Sequence, residues 1–190
     1  MLAVYVLCAY LLGSIPFGFF VAKIWNIDIR RTGSGNIGAT NVYRTLGPVP
    51  GTIVLALDFL KGVLAVYAGY WIGGDPLVVL LLGVAAIFGH MFSIFLGFKG
   101  GKGAATGLGV LAVIAPEIFL IAAVLAAAII ALTRYVSIAS IITPFVVAIL
   151  MYVFHKPLPY AAAAFVVAVF VFFRHVPNLK RLLAGTESRV

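Results

Sequence analysis

The sequence predicts an all-α integral membrane protein of seven transmembrane helices, one or two of them short, with the N-terminus outside and the C-terminus cytoplasmic. Three observations carry this reading. Hydrophobic residues make up 64% of the 190 and charged residues 9%, whereas soluble domains are roughly half apolar and a quarter charged. Apolar runs near the length of a membrane crossing follow one another along the chain. The basic residues fall almost entirely into alternate loops, the pattern of the positive-inside rule.

The apolar runs cover 2–22, 51–72, 77–98, 104–132, 136–154 and 159–173. The first begins at Leu2 with no basic stretch before it and no small-residue cleavage site after it, so it reads as a retained helix rather than a signal peptide. The fourth run is ambiguous, because Pro116 and Glu117 near its middle supply a helix breaker and a charge that is costly in hydrocarbon. A break at Pro116 makes seven spans and gathers Lys23, Arg30, Arg31, Arg44, Lys61, Lys99, Lys102, Arg134, Arg174, Lys180, Arg181 and Arg189 at the inner face, leaving Lys156 outside. An unbroken helix would put Arg134 and the C-terminal basic cluster outside, so seven spans are favoured. The halves of the split run are short, which leaves one of them tilted, partly buried in protein or re-entrant.

Interfacial aromatics fit this topology, with Tyr67, Tyr70, Trp71, Tyr152 and Tyr160 near the outer interface and Trp25, Tyr135, Phe172 and Phe173 near the inner one. Gly13, Ser14, Pro16 and Gly18 in the first run indicate close helix packing and a kink. No internal repeat is visible, and 1–190 reads as a single transmembrane domain. The net charge of +8 follows from the loop bias and calls for no nucleic acid. Cys8, the one cysteine, excludes an internal disulfide and reads as an inert packing residue.

Two glycine-rich loops carry the chemistry, and both fall on the inner side. In GSGNIGATN, residues 33–41, Gly35 and its neighbouring glycines let backbone N–H groups turn toward one point. Ser34, Asn36, Thr40 and Asn41 add polar side chains, and Arg44 follows with a planar fork suited to phosphate. In GFKGGKGAAT, residues 97–106, Gly100, Gly101, Lys102 and Gly103 lead directly into an apolar helix, joining backbone donors and a point charge to the positive end of a helix dipole. This is no Walker A loop, since Gly103 rather than Ser or Thr follows Lys102 and no strand precedes. Asp58 and Lys61, three apart on one helix face, are placed to pair, in a structural or a site-ordering role. A third polar patch comprises Ser137 and Ser140 with His175, Asn178, Arg181 and Glu187. His90, His155 and His175 are too dispersed for a zinc site, no GxSxG elbow occurs, and no His-x-x-x-x-Asp follows His90. No metal and no cofactor is expected, and any acyl transfer must start from an activated donor.

The segments LLGSIPFG, GSGNIGATNVYR, DFLKG, GHMFSIFLGFKGGKG with AAT after it, RYVSIAS and RHVPNLKRLLAGTE together resemble the bacterial acyl-phosphate-dependent glycerol-3-phosphate acyltransferases, in order and over nearly the whole chain. The resemblance implies seven helices in the bacterial cytoplasmic membrane with a cytosolic site. It also implies transfer of a fatty acyl group from acyl phosphate to the 1-hydroxyl of sn-glycerol 3-phosphate, with membrane lipid as surroundings and no nucleic-acid partner. Ser34, Asn36, Asn41, Arg44, Lys102, Ser140, His175 and Asn178 would then contact the substrates' phosphates and hydroxyls, with Lys102, Arg44, Ser34 and His175 closest to the chemistry. Neither a metal nor a covalent intermediate is implied. The chain departs from the family in carrying Pro48, Val49 and Pro50 where basic residues are common, and Ser93 where proline is common. A transporter for phosphate or organic phosphates would also place cations and glycines at helix ends, but its charges should line a path across the membrane. A non-catalytic membrane scaffold would leave the donor-rich loops without a purpose.

Overall fold

The computed structural model describes residues 1–190, all helix, turn and loop, in two compact units, Met1–Ile114 and Ala115–Val190. The first contains α1 (Leu2–Ser14), α2 (Phe17–Ile24), α3 (Ala39–Leu46), α4 (Pro48–Trp71), α5 (Pro76–Met91) and α6 (Ala104–Ile114); the second contains α7 (Pro116–Thr133), α8 (Val136–Val153) and α9 (Leu158–Leu183). Six segments are long and apolar enough to cross a membrane, α1 and α2 counting as one. The break in the fourth run falls where the sequence placed it. α6 stops at Ile114 and α7 starts with Pro116 in its first turn, where a missing N–H removes no helical bond. The short half is α6, whose 11 residues rise about 16 Å, roughly half the hydrocarbon thickness.

Proline also divides the first run. Pro16 disfavours helical geometry at the residue before it, and Ile15 is extended at ψ 117°. Glycines flank the break because backbones meet there: a Cβ at Gly13 would fall on the Ala86 backbone of α5, and one at Gly18 on the Ile37 carbonyl. Gly62 of α4 and Gly109 of α6 do the same for that helix pair, facing the Thr106 and Phe59 carbonyls. In hydrocarbon, where burying apolar surface drives helices together only weakly, such close approach is what gives packing its energy.

Several boundaries differ from the sequence reading. α4 begins at Pro48 rather than near 51, since Pro48 takes the first helical position after Gly47 at φ 94°. α9 continues ten residues past the apolar run to Leu183, so His175, Asn178 and Arg181 lie on a helix at spacings of three. Part of the first loop is itself helical, as α3. Cys8, expected to pack, is exposed on α1, because α1 packs through Ala9, Gly13 and Ser14 and hydropathy does not distinguish a lipid-facing side chain from a protein-facing one.

Ser93 does not leave α5 without a stop. The helix ends at Met91, Ser93 Oγ donates to the Ser14 carbonyl at 2.5 Å, and Tyr10 donates its hydroxyl to the Phe92 carbonyl at 2.7 Å. Both bonds tie the end of α5 to α1 and satisfy carbonyls that a helix end leaves open. In the second unit, Phe145 of α8 meets Phe165 and Phe172 of α9 edge to face, and Lys156 pairs with Glu117 at 2.5 Å.

Candidate active site

The loop of residues 33–41 is organised around Asn41. Its amide nitrogen donates to the carbonyls of Asn36 at 2.9 Å, Thr32 at 3.0 Å and Ile29 at 3.3 Å, and its oxygen accepts from the Ser34 N–H at 2.9 Å. A loop has no ladder to satisfy its backbone, so one buried amide does so in its place. Asn36 Oδ1 accepts from Gly38 N–H at 2.8 Å, an Asx turn that delivers the chain into α3. Gly33 and Gly35, at φ 61° and 70°, bend the loop through conformations that other residues adopt only at a cost. Upstream, Arg30 binds Asp28 at 2.9 and 2.7 Å and holds its carboxyl well below the usual carboxylate range. Thr40, Asn41 and Arg44 all ride on α3, and Ser34 is exposed at the tip.

The second glycine loop folds back onto the end of α5. Gly100 and Gly101 donate their N–H groups to the Met91 and His90 carbonyls at 3.2 and 2.9 Å, and Gly107 donates to Gly103 at 2.8 Å as α6 begins. Gly103 takes φ 86°, which only glycine adopts freely. Lys102 is half-buried between two buried glycines. Below it lies the pair foreseen on α4: Lys61 Nζ sits 2.8 Å from Asp58 Oδ1, with both residues 2% exposed. His90 joins them, its Nδ1 3.4 Å from the same carboxylate. The Lys61 ammonium also donates to the Ile15 carbonyl at 3.2 Å, at the break between α1 and α2.

In the second unit the polar residues gather along the last turns of α9. Glu187 accepts from Asn178 Nδ2 and from Arg181 Nε, each at 2.7 Å, after the chain turns at Gly185 with φ 68°. His175 Nδ1 lies 2.8 Å from the Val171 carbonyl. A carbonyl only accepts, so Nδ1 carries the proton and Nε2 of the neutral ring is the acceptor. Ser137 and Ser140 occupy the first turn of α8, with Ser137 buried.

Residues 3–185 match the family model described as glycerol-3-phosphate acyltransferase. The chain belongs to the glycerol-3-phosphate acyltransferase family. It is 47% identical over 183 residues to glycerol-3-phosphate acyltransferase 2 of Moorella thermoacetica, covering 96% of this chain and 94% of that one. Its structure is similar to that of PlsY (YgiH), an integral membrane glycerol 3-phosphate acyltransferase, in a glycerol 3-phosphate form. There the TM-score is 0.94 at 42% identity, over 100% of this chain and 95% of the other. The lysophosphatidic acid form of PlsY matches with a TM-score of 0.91 at 42% identity, over 99% and 94%. As a member of this family the chain is an integral membrane acyltransferase of phospholipid synthesis.

In this glycerol-3-phosphate acyltransferase, the sequence discounts His90 as a zinc ligand or as part of a His-x-x-x-x-Asp motif and shows Ser93 only as a departure. The structure bonds Ser93 to Ser14, 79 positions away, and packs His90 Nδ1 3.4 Å from the Asp58 carboxylate of another helix. The available signal was the side-by-side rarity of Asp58, Lys61 and His90 in apolar runs, where an ionisable residue is a reason to look for its partner.

Proposed function

We propose that the chain transfers a fatty acyl group from acyl phosphate to the 1-hydroxyl of sn-glycerol 3-phosphate, giving lysophosphatidic acid and inorganic phosphate in the first acylation of bacterial phospholipid synthesis. The observation that carries this reading is the half-buried Lys102 in the glycine turn at the start of α6, in a chain that belongs to the glycerol-3-phosphate acyltransferase family. Acyl phosphate is a mixed anhydride. The acceptor hydroxyl oxygen bonds to the acyl carbon, the bond from that carbon to the phosphate oxygen breaks, and the departing phosphate takes the electron pair and the hydroxyl proton. The protein need only align the reactants and offset charge. Lys102, Arg44 and Ser34 meet phosphate oxygens, and the Nε2 acceptor of His175 orients a hydroxyl. Asn36, Thr40, Gly103, Ser137, Ser140 and Asn178 supply further substrate contacts, and Asn41 shapes the loop that presents Ser34; Gly35, Gly100 and Gly101, read from the sequence as N–H donors to phosphate, instead donate to the Thr32, Met91 and His90 carbonyls and shape the two loops. Asp58, Lys61 and Glu187 hold these groups in place.

No set of three His, Cys, Asp or Glu side chains is arranged to hold a metal ion. Purified protein given acyl phosphate and labelled glycerol 3-phosphate should form lysophosphatidic acid and phosphate at a rate unchanged by chelators. Transfer only from a thioester donor, or loss with a chelator and recovery with one divalent ion, would overturn the donor or the metal-free step.

We further propose that residues 1–190 act as one domain with seven crossings, α6 being the short one, in the bacterial cytoplasmic membrane. The N-terminus lies outside, and the C-terminus and the substrate site lie on the cytoplasmic side. The placement of basic residues supports this orientation. Phe98 is exposed beside the second glycine loop, so Phe98→Cys in a Cys8→Ala background, which removes the exposed native thiol, should react with an impermeant thiol reagent only from the cytoplasmic side. Labelling from the outside alone would reverse the topology.

A further inference from the structure

Three ionisable side chains are buried together in the first unit, although two would balance. Asp58 and Lys61, three apart on α4 and 2.8 Å from each other, already form a formally neutral pair. A third group in such a place adds a desolvation penalty with no charge left to offset. His90 nevertheless directs Nδ1 at Asp58 from α5, at 3.4 Å and 4% exposure.

The other edge of the ring shows what the histidine does. A Cβ built on Gly101 would collide with His90 Nε2, and the next two atoms it would meet, Cε1 and Cδ2, belong to the same ring. Gly101 is not among the positive-φ glycines, unlike Gly103 at 86°. Gly100 differs again, since its Cβ would strike backbone of His90 and Met91. Position 101 therefore demands glycine because of one side chain, the His90 imidazole. The His90 carbonyl accepts the Gly101 N–H at 2.9 Å, so the same residue grips this peptide from backbone and side chain, and the next residue is Lys102.

We propose that His90 is a positioning residue of the transfer reaction: with its Nδ1 edge packed 3.4 Å from the Asp58 carboxylate, its ring is the floor on which the Gly101 peptide rests, and it sets where Lys102 meets a substrate phosphate. This rests on the assignment of Lys102 as a phosphate contact. The floor has a foundation, because Asp58 is fixed by Lys61, whose ammonium is fixed in turn by the Ile15 carbonyl at the break in the first span. The end of α1, the face of α4, the end of α5 and the glycine turn thus form one assembly. A displacement of Lys102 by about 1 Å is enough to change a rate by roughly 100-fold.

The test is a cycle of Gly101→Ala, His90→Ala and the double variant, with His90→Asn beside it. Each membrane-inserted protein is measured for kcat/KM with both substrates, for equilibrium binding of glycerol 3-phosphate and for thermal unfolding in detergent. Gly101→Ala should lower kcat/KM by about 100-fold while leaving the unfolding temperature nearly unchanged. In the His90→Ala background the same substitution should lower it by less than about 3-fold, because contacting residues do not act additively. Asparagine keeps a polar group of similar reach beside Asp58 but leaves the floor empty, so His90→Asn should keep wild-type unfolding and lose kcat/KM. Equal damage from Gly101→Ala in both backgrounds, or full activity in His90→Asn, overturns the proposal. If His90→Ala does not fold, the cycle is run with His90→Asn in its place. If the wild type fails to use acyl phosphate, it is the donor assignment that falls, and the coupling of Gly101 to His90 is read from glycerol 3-phosphate binding alone.

Discussion

Lys102→Ala and Arg44→Ala should each lower turnover by roughly 30-fold or more, and Arg44→Lys should recover little of the loss. Donor and acceptor each bring a phosphate close to the reacting carbon, and two such anions cannot approach without cations between them. Both side chains are half-buried, Lys102 in the glycine turn and Arg44 in the last turn of α3, where water screens a contact less than at an open surface. Removing one desolvated, charge-assisted contact costs about 2 to 5 kcal/mol, which is where the fold-change comes from. Lysine keeps the charge at position 44 but loses the planar fork that holds phosphate by two bonds. Residues that merely anchor a loop to anionic lipid would behave otherwise, with Lys and Arg interchangeable and each worth about 1 kcal/mol. Steady-state kinetics on folded, membrane-inserted variants separate the two cases. Near-normal rates and KM values in both Lys102→Ala and Arg44→Lys would return these cations to the role of topology signals.

A second large effect is expected from a change of one atom pair. Asn41→Asp preserves the oxygen that accepts from Ser34 but replaces the amide donor with an acceptor facing the carbonyls of Ile29, Thr32 and Asn36. Each buried polar group left without a partner costs about 1 to 3 kcal/mol, and a charged one costs more. Asn41→Asp should therefore lose activity by about 100-fold or more and open residues 29–41 to hydrogen exchange, with Asn41→Ala less severe. Lowering the pH should bring back part of the Asp variant's activity relative to wild type, because a protonated carboxyl regains a donor. Wild-type exchange protection in the Asp variant would show that the loop does not depend on this amide.

What could be read from the chain follows from the range over which each cause acts. The kink read at Pro16 and the break read at Pro116 have local causes, since proline acts on its own turn and on the residue before it; the break at Pro116 stands where the sequence put it, and at Pro16 the kink is a full interruption of the helix. The Asp58–Lys61 contact follows from helical spacing alone. The bond from Ser93 to Ser14 and that from Tyr10 to Phe92 join residues 79 and 82 positions apart, and no periodicity announces a partner at that distance. Asn41 was legible as a polar residue in a glycine loop. That its amide would turn inward, to the backbone, depended on carbonyls whose directions are set only once Gly33 and Gly35 have bent the chain. The exposure of Cys8 was hidden for a different reason, because lipid and protein interior look alike to hydropathy.

α9 has a length that its neighbours do not share. Its 26 residues rise about 39 Å, against about 27 Å for the 18 residues of α8 and roughly 30 Å of hydrocarbon. In the topology proposed above, a helix that enters the hydrocarbon at its first turn has risen about 27 Å at His175, just short of the boundary, and crosses it near Asn178, so that Arg181 stands in the headgroup layer. That is the depth at which lipids carry their own phosphates. For the proposed reaction, a donor and a product gripped by their phosphates there keep their chains in the leaflet and arrive and leave sideways. Each methylene that stays out of water spares about 0.8 kcal/mol, so a fatty chain that never leaves the bilayer is spared a barrier that no phosphate contact of ordinary strength could offset.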